Sequence, residues 1–346
     1  MNFNSKILIT GSAGFLGNRL VYKLCEKGYT NIRCFIRSSQ SIQKFNQIKS
    51  DFPGVSLEFC EGNLTSQIDA HKAVEGVDYI IHCATGKRGP IASMYFDTVV
   101  ATRNLLEASK TKQLKRIIHI SSFAVYGTAN LKSQAVINEN TPLENNFKKR
   151  NDGYSYVKSK QENIVKLYEE EFNLPVVILR PGVIYGPGGD EINGRVGIQL
   201  FGLYLNVGKS NLMPLSYIDN CADAIIQSMV EPGINGEIVN IHDNDLRTCN
   251  EFLRRYKKEV KKIKSVKVPY FIFWIISWLV ESYSRFSKGQ IPPFITRYRT
   301  ASVYKKRRFS NEKLVQLLKW EQSVSTDEGL SRHFSYFSNV YKSTHS

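Results

Sequence analysis

"KILITGSAGFLG", residues 6–17, runs an apolar stretch straight into a glycine-punctuated turn. Lys6–Thr10 reads as a short strand. Gly11, Gly14 and Gly17 follow three residues apart, with Phe15 and Leu16 opening a helix-forming segment. Glycine at such a turn lets backbone N–H groups approach a ligand closely, and a helix N-terminus adds unpaired donors and partial positive charge. Strand, three-glycine turn and helix in that order point to a nucleotide pyrophosphate. The spacing is Gly-x-x-Gly-x-x-Gly rather than the more frequent Gly-x-Gly-x-x-Gly.

Working outward, β-rich runs alternate with helical stretches through about residue 245. The strands read as 6–10, 32–37, 55–60, 77–84, 116–121, 176–181 and 237–242. Several are near-continuous apolar runs, as expected of strands covered on both faces. Such alternation predicts a parallel sheet with right-handed crossovers. Residues 186–216, rich in Gly and Asn, break the pattern. Residues beyond about 250 read as helical and basic without further strong strands. These two segments are expected to form a smaller lobe over the carboxyl ends of the strands, where such sheets bind ligands.

The 346 residues carry 42% hydrophobic and 23% charged side chains, enough for a sizeable core. The N-terminus has no charged-then-apolar leader pattern. Six scattered cysteines with no Cys-x-x-Cys argue against a disulfide framework or a zinc site and for a reducing, cytoplasmic compartment. The net charge of +16 has no nucleic-acid motif beside it, so an acidic substrate, a membrane surface or a lysine-biased proteome accounts for it equally well.

About 20 residues beyond Gly17, the second strand should meet an adenosine ribose. The sequence there is "FIRSSQS", with Arg37 and no carboxylate, which favours the 2′-phosphate of NADP over the free hydroxyl of NAD. The fifth strand ends in "SSFAVYG", residues 121–127, where Ser122 is the hydroxyl best placed to face a cofactor. Farther on, "DGYSYVKSKQEN", residues 152–163, holds Tyr-x-x-x-Lys twice, two residues out of step. Residues four apart share a helix face, and a two-residue shift turns the helix by about 200°. Tyr156 and Lys160 align with Ile164 and Leu167, an apolar stripe expected to face the interior. Tyr154 and Lys158 align with Gln161, Val165 and Glu169, a face expected to be solvated. The inward pair is therefore predicted to be Tyr156 and Lys160.

Ser122, Tyr156 and Lys160 together resemble the catalytic set of the extended short-chain dehydrogenase/reductases, the NAD(P)-dependent epimerase/dehydratase family. The resemblance covers nearly the whole chain: the glycine turn, "EGNLTS" (61–66), "IIHCATG" (80–86), "SSFAVYG", "YVKSKQE" (156–162), "LRPGVIYGPG" (179–188), "LSYIDNCADAI" (215–225), "GEIVNIH" (236–242) and the closing segment 309–330. It implies a Rossmann-type doubly wound parallel sheet over residues 1–185, completed by about 217–248. A smaller, mostly helical substrate lobe would come from 186–216 and 249–346. It also implies Tyr156 as acid/base, with Lys160 lowering its pKa and binding the nicotinamide ribose, and Ser122 holding the substrate oxygen. Cofactor contacts would come from Gly11, Gly14, Phe15, Leu16, Gly17, Arg37, Asn63 (in place of the usual Asp), Leu64, Ala84, Thr85 and Pro181. A homodimer and a nucleotide-sugar substrate are the further implications.

Two departures narrow the chemistry. Sugar dehydratases of the family carry Asp-Glu directly after the catalytic hydroxyl, whereas this chain has Phe123 and Ala124, which cannot transfer protons. Thr98 stands where a structural or proton-relaying Asn is usual. The expected reaction is thus oxidation, reduction or epimerisation at a secondary alcohol or ketone. A steroid- or flavonol-like hydrophobic alcohol is the rival substrate, and a non-catalytic cofactor-binding regulator the rival role. The uncharged run Val268–Val280 is too short to span a membrane and is expected to be a buried helix of the small lobe. Its upstream neighbour, 254–267, holds eight Lys or Arg against one Glu, which leaves peripheral membrane contact open.

Overall fold

A computed structural model describes residues 3–288, 290, 293 and 295–345. Seven parallel strands form the central sheet: β1 (Ile7–Thr10), β2 (Asn31–Ile36), β3 (Ser56–Glu61), β4 (Tyr79–His82), β5 (Arg116–Ile120), β6 (Val176–Pro181) and β7 (Ile238–Ile241). Their spatial order is β7-β6-β5-β4-β1-β2-β3, so the order reverses at β1, and a cleft opens there at the carboxyl ends. The helices that position the site are α1 (Phe15–Glu26), α2 (Gly153–Phe172), α3 (Ile218–Val230), α4 (Cys249–Glu259), α5 (Tyr270–Phe286), α6 (Arg297–Tyr304) and α7 (Thr326–His345). The doubly wound α/β fold expected from the sequence is present.

Alternation along β1 explains its unbroken apolar run. Ile7 and Ile9 pack on one side with Leu20 and Leu24 of α1 and Ile225 of α3. Leu8 points the other way, to Ala70, Leu105 and Val165. Ile7, Leu8 and Ile9 are fully buried, each contributing about 1.5–3 kcal/mol of transfer free energy.

Outside this sheet, Ile198–Leu200 and Leu203–Asn206 form a hairpin that Ser265–Lys267 extends in parallel. The last strand lies inside the basic run that reads as strand-free. It is a short edge strand whose charges suit a solvent-facing position. Packing of α4 and α7 centres on Phe252, Tyr256 and Phe334, and α5 and α6 meet at Phe273 and Tyr304. The expectation that 268–280 is a buried helix needs correction: in α5 only Phe273, Ser277 and Ser284 are buried. No helix among the described residues is long and apolar enough to cross a membrane.

Candidate active site

At the turn after β1, Gly11 adopts φ +68, which favours glycine, and a Cβ at Gly17 would meet the Gly11 carbonyl oxygen at 2.1 Å. Gly14 caps α1 with no side chain, and the first turn carries no acidic residue. The Gly14 N–H closes the turn onto the Gly11 carbonyl at 2.9 Å, and the donors of Phe15 and Leu16 are left for an anion at the cleft. These features fit the pyrophosphate of a dinucleotide.

The cleft has a volume of about 1440 Å³. Its lining includes Gly11, Gly14, Phe15, Leu16, Gly17, Arg37, Asn63, Leu64, Ala84, Thr85, Ser122 and Pro181. Arg37 projects from the end of β2 and pairs with Asp97 at 3.0 Å. Asn63 is partly engaged locally, its side-chain oxygen accepting from the Thr65 N–H at 3.1 Å. Thr98 is a structural tie: its hydroxyl accepts from the Gly86 N–H at 2.8 Å and lies 3.3 Å from the Thr85 hydroxyl.

The helical-face expectation for α2 is overturned. Tyr154 and Lys158 line the cleft, and Tyr156 and Lys160 do not. Tyr156 instead stacks on Tyr95 with ring centroids 6.3 Å apart and meets Phe147 edge-on at 5.3 Å. The Lys160 ammonium sits 5.9 Å over the Tyr156 ring. The physical reason lies one and two turns farther along α2. Glu162 is fully buried because Arg180 of β6 pairs with it at 2.5 Å and Ser121 donates to it at 2.6 Å. Gln161 is buried against Thr102, to which it donates at 2.8 Å. Polar groups with partners can be buried, and here they turn their face of the helix inward. Tyr154, Lys158 and Glu162 succeed one another at four-residue spacing, the sequence signal for this register.

Lys158 is 2% exposed and donates to the Ile120 carbonyl at 2.6 Å and to Gln161 Oε1 at 2.5 Å. Burial pushes its ammonium down to about 7, with Glu162 opposing the shift. A lysine has three N–H donors, so one is left for the cleft. Tyr154 lies beside the Ser122 side chain, and burial raises its pKa while Ser122 opposes the shift. The Ser122 hydroxyl also accepts from the Ala124 N–H at 3.1 Å, fixing its position at the end of β5. Phe123 stacks on Phe309 at 5.9 Å, so neither residue after Ser122 brings a carboxylate to the cleft.

Two arginines missed by the sequence reading complete the cleft. Arg195 and Arg299 line it and form no ion pair among the described residues. Burial pushes Arg195 down to about 10, with Arg150 and Arg307 adding repulsion. By contrast, the carboxylates of the lining are each paired: Asp97 with Arg37, Asp152 with Arg150 at 3.6 Å and Asp190 with Arg88 at 3.7 Å.

Comparison with known proteins agrees with this fold. An uncharacterized UDP-glucose epimerase of Bacillus subtilis is 29% identical over 250 residues, covering 68% of this chain and 76% of that protein. A decarboxylating sterol-4-alpha-carboxylate 3-dehydrogenase of Candida albicans is 26% identical over 349 residues, covering 94% and 95%. The crystal structure of a UDP-glucuronic acid 4-epimerase from Bacillus cereus in complex with NAD superposes with a TM-score of 0.71 at 20% identity, over 97% of this chain and 99% of that one. The sequence model of the NAD dependent epimerase/dehydratase family matches residues 7–241, and the chain belongs to that family as an enzyme of the extended short-chain dehydrogenase/reductase type.

Proposed function

We propose that this NAD(P)-dependent oxidoreductase or epimerase acts on a secondary alcohol or ketone of a nucleotide sugar, with Tyr154 transferring the proton. The observation that carries the substrate class is Arg195 and Arg299, two guanidinium groups facing the cleft without carboxylate partners. A fork of N–H donors matches phosphate oxygens, and a desolvated arginine gains most from an anion. The relative and the structural neighbour described above are both named as epimerases of UDP-sugars, in keeping with this choice.

A bound nicotinamide would supply hydride exchange at the substrate carbon, held by the α1 turn, Ala84, Thr85 and Lys158. Ser122 and Tyr154, side by side at the cleft, would bracket one substrate oxygen. Burial keeps the phenol protonated, the state that donates to a carbonyl oxygen. In the reverse direction the Tyr154 phenolate would accept the proton of the substrate hydroxyl. Re-reduction of the ketone from its other face would give an epimer.

For the cofactor, Arg37 and the absence of a carboxylate at the end of β2 support NADP. Asp97 competes for Arg37 with a single charge, against the larger charge of a 2′-phosphate. Six unpaired cysteines support a reducing cytoplasm, and exposed Ile91 and Phe96 offer apolar surface for a homodimer.

A second reading, a hydrophobic alcohol, is favoured by Phe273, Ile295 and Val303 at the cleft's apolar end. Turnover against a panel of nucleotide sugars and 3β-hydroxysteroids, with NADP and with NAD, separates the readings. Turnover of steroids alone overturns the nucleotide-sugar proposal, and cofactor binding without any turnover makes the chain a regulator.

A further inference from the structure

Helix α5 carries no charged residue from Tyr270 to Val280, yet it is covered on only one side. Its inner side packs through Phe273, which is 1% exposed, and through Ser277, hydrogen-bonded to Thr300 at 2.7 Å. Its outer side presents Phe271, Ile272, Trp274, Ile275, Trp278 and Leu279, between 38% and 64% exposed. A soluble helix normally turns a polar face outward, and a contiguous aromatic patch marks a surface that meets something apolar.

Charge selects the partner. The strand Ser265–Lys267 leads into α5 through Val268 and Pro269. Around it, Lys262, Lys264 and Lys267 are exposed and form no ion pair among the described residues, and Lys288 follows the helix in the same condition. Next to the same small sheet, Phe201 is 97% exposed at a hairpin tip. A second copy meeting this face across a two-fold axis would set lysines against lysines. An anionic lipid surface satisfies both the apolar side chains and the cations. With 17 residues and about 1.5 Å rise per residue, the helix lies in the interface rather than crossing it.

We propose that α5, with the basic strand leading into it, is an in-plane anchor that seats the chain on an anionic membrane surface. Because Phe273 of the same helix walls the cleft, the seated enzyme holds its site beside the bilayer. The proposal does not depend on the substrate reading.

The test is co-sedimentation of the full chain with phosphatidylcholine vesicles, with and without phosphatidylglycerol. Tryptophan emission provides a second readout, because Trp274 and Trp278 lie in the patch and Trp320 is buried at 2% exposure. Expected are sedimentation with the anionic vesicles, weakening as salt rises, and a blue shift of emission. Trp278→Glu with Leu279→Glu should lower vesicle affinity about tenfold or more while NADP affinity stays unchanged. Lys264→Glu with Lys267→Glu should do likewise by about tenfold without altering the apolar face. Protein that stays in the supernatant with anionic vesicles at low salt overturns the proposal. So does sedimentation that neither double variant weakens. If instead the Trp278/Leu279 variant turns a dimer into a monomer in solution, the face belongs to a second copy and the proposal fails.

Discussion

Lys158 donates to the backbone carbonyl of Ile120 at 2.6 Å, so α2 delivers a cation to the end of β5, two residues before Ser122. Burial lowers its pKa from 10.5 to about 7. Between those values the unfolded chain binds more protons than the folded one, so this group's contribution to stability rises as pH increases from about 7 to 10. Lys158→Met removes a buried amine and should abolish turnover while raising Tm. The gain should be larger at pH 7 than at pH 10. A Tm difference between variant and parent that does not shrink with rising pH would contradict the assignment.

The two Tyr-x-x-x-Lys registers make opposite predictions. Tyr154→Phe removes the hydroxyl that meets Ser122 and should lower kcat by about 10²–10⁴-fold, with cofactor affinity little changed. Tyr156→Phe leaves a ring between Tyr95 and Phe147 and should cost only a few-fold. Steady-state kinetics on both variants decide between the registers, and inactivation by Tyr156→Phe alone would reverse the choice.

That register shows where the sequence is readable and where it is not. The sheet is legible because a strand covered on both faces needs an apolar residue at every position, and Ile7, Leu8 and Ile9 supply them locally. The inner face of α2 is not legible from hydrophobicity. Lys158, Gln161 and Glu162 are buried by Ile120, Thr102 and Arg180, partners far along the chain, while apolar Leu167 is 46% exposed. For α5 the error has the opposite sign. Its composition reads as core, but nothing in the described chain covers its outer side.

The Glu162–Arg180 pair should fix the α2 register energetically. Glu162→Gln leaves the Arg180 guanidinium buried without its counter-charge, a loss of about 3–5 kcal/mol measurable by urea unfolding. Replacing both residues by Met should recover much of that loss. If Glu162→Gln unfolds at the parent's midpoint, the pair is not what anchors the helix.

Arg37 should govern the choice of cofactor. Arg37→Asp substitutes repulsion for attraction at a 2′-phosphate and should weaken NADP binding more than about tenfold, leaving NAD within a few-fold. Asp97→Asn, which frees Arg37 from its 3.0 Å partner, should shift preference further towards NADP. Fluorescence titration with both dinucleotides reads the result, and a native preference for NAD would refute the NADP assignment.

The substrate reading stands or falls on Arg195. Its guanidinium is desolvated and repelled by Arg150 and Arg307, and it forms no ion pair among the described residues. An incoming diphosphate relieves that cost, so Arg195→Met should raise KM for a nucleotide sugar by about tenfold to a hundredfold, the range of one charge-assisted hydrogen bond. Because the proton transfer is assigned to Tyr154 and not to Arg195, kcat at saturation should fall much less than kcat/KM. Removing an unpaired, half-buried cation should also raise Tm, which distinguishes a lost ligand contact from a damaged fold. For a steroid alcohol the same substitution should leave KM unchanged, since an uncharged substrate has nothing to offer the guanidinium.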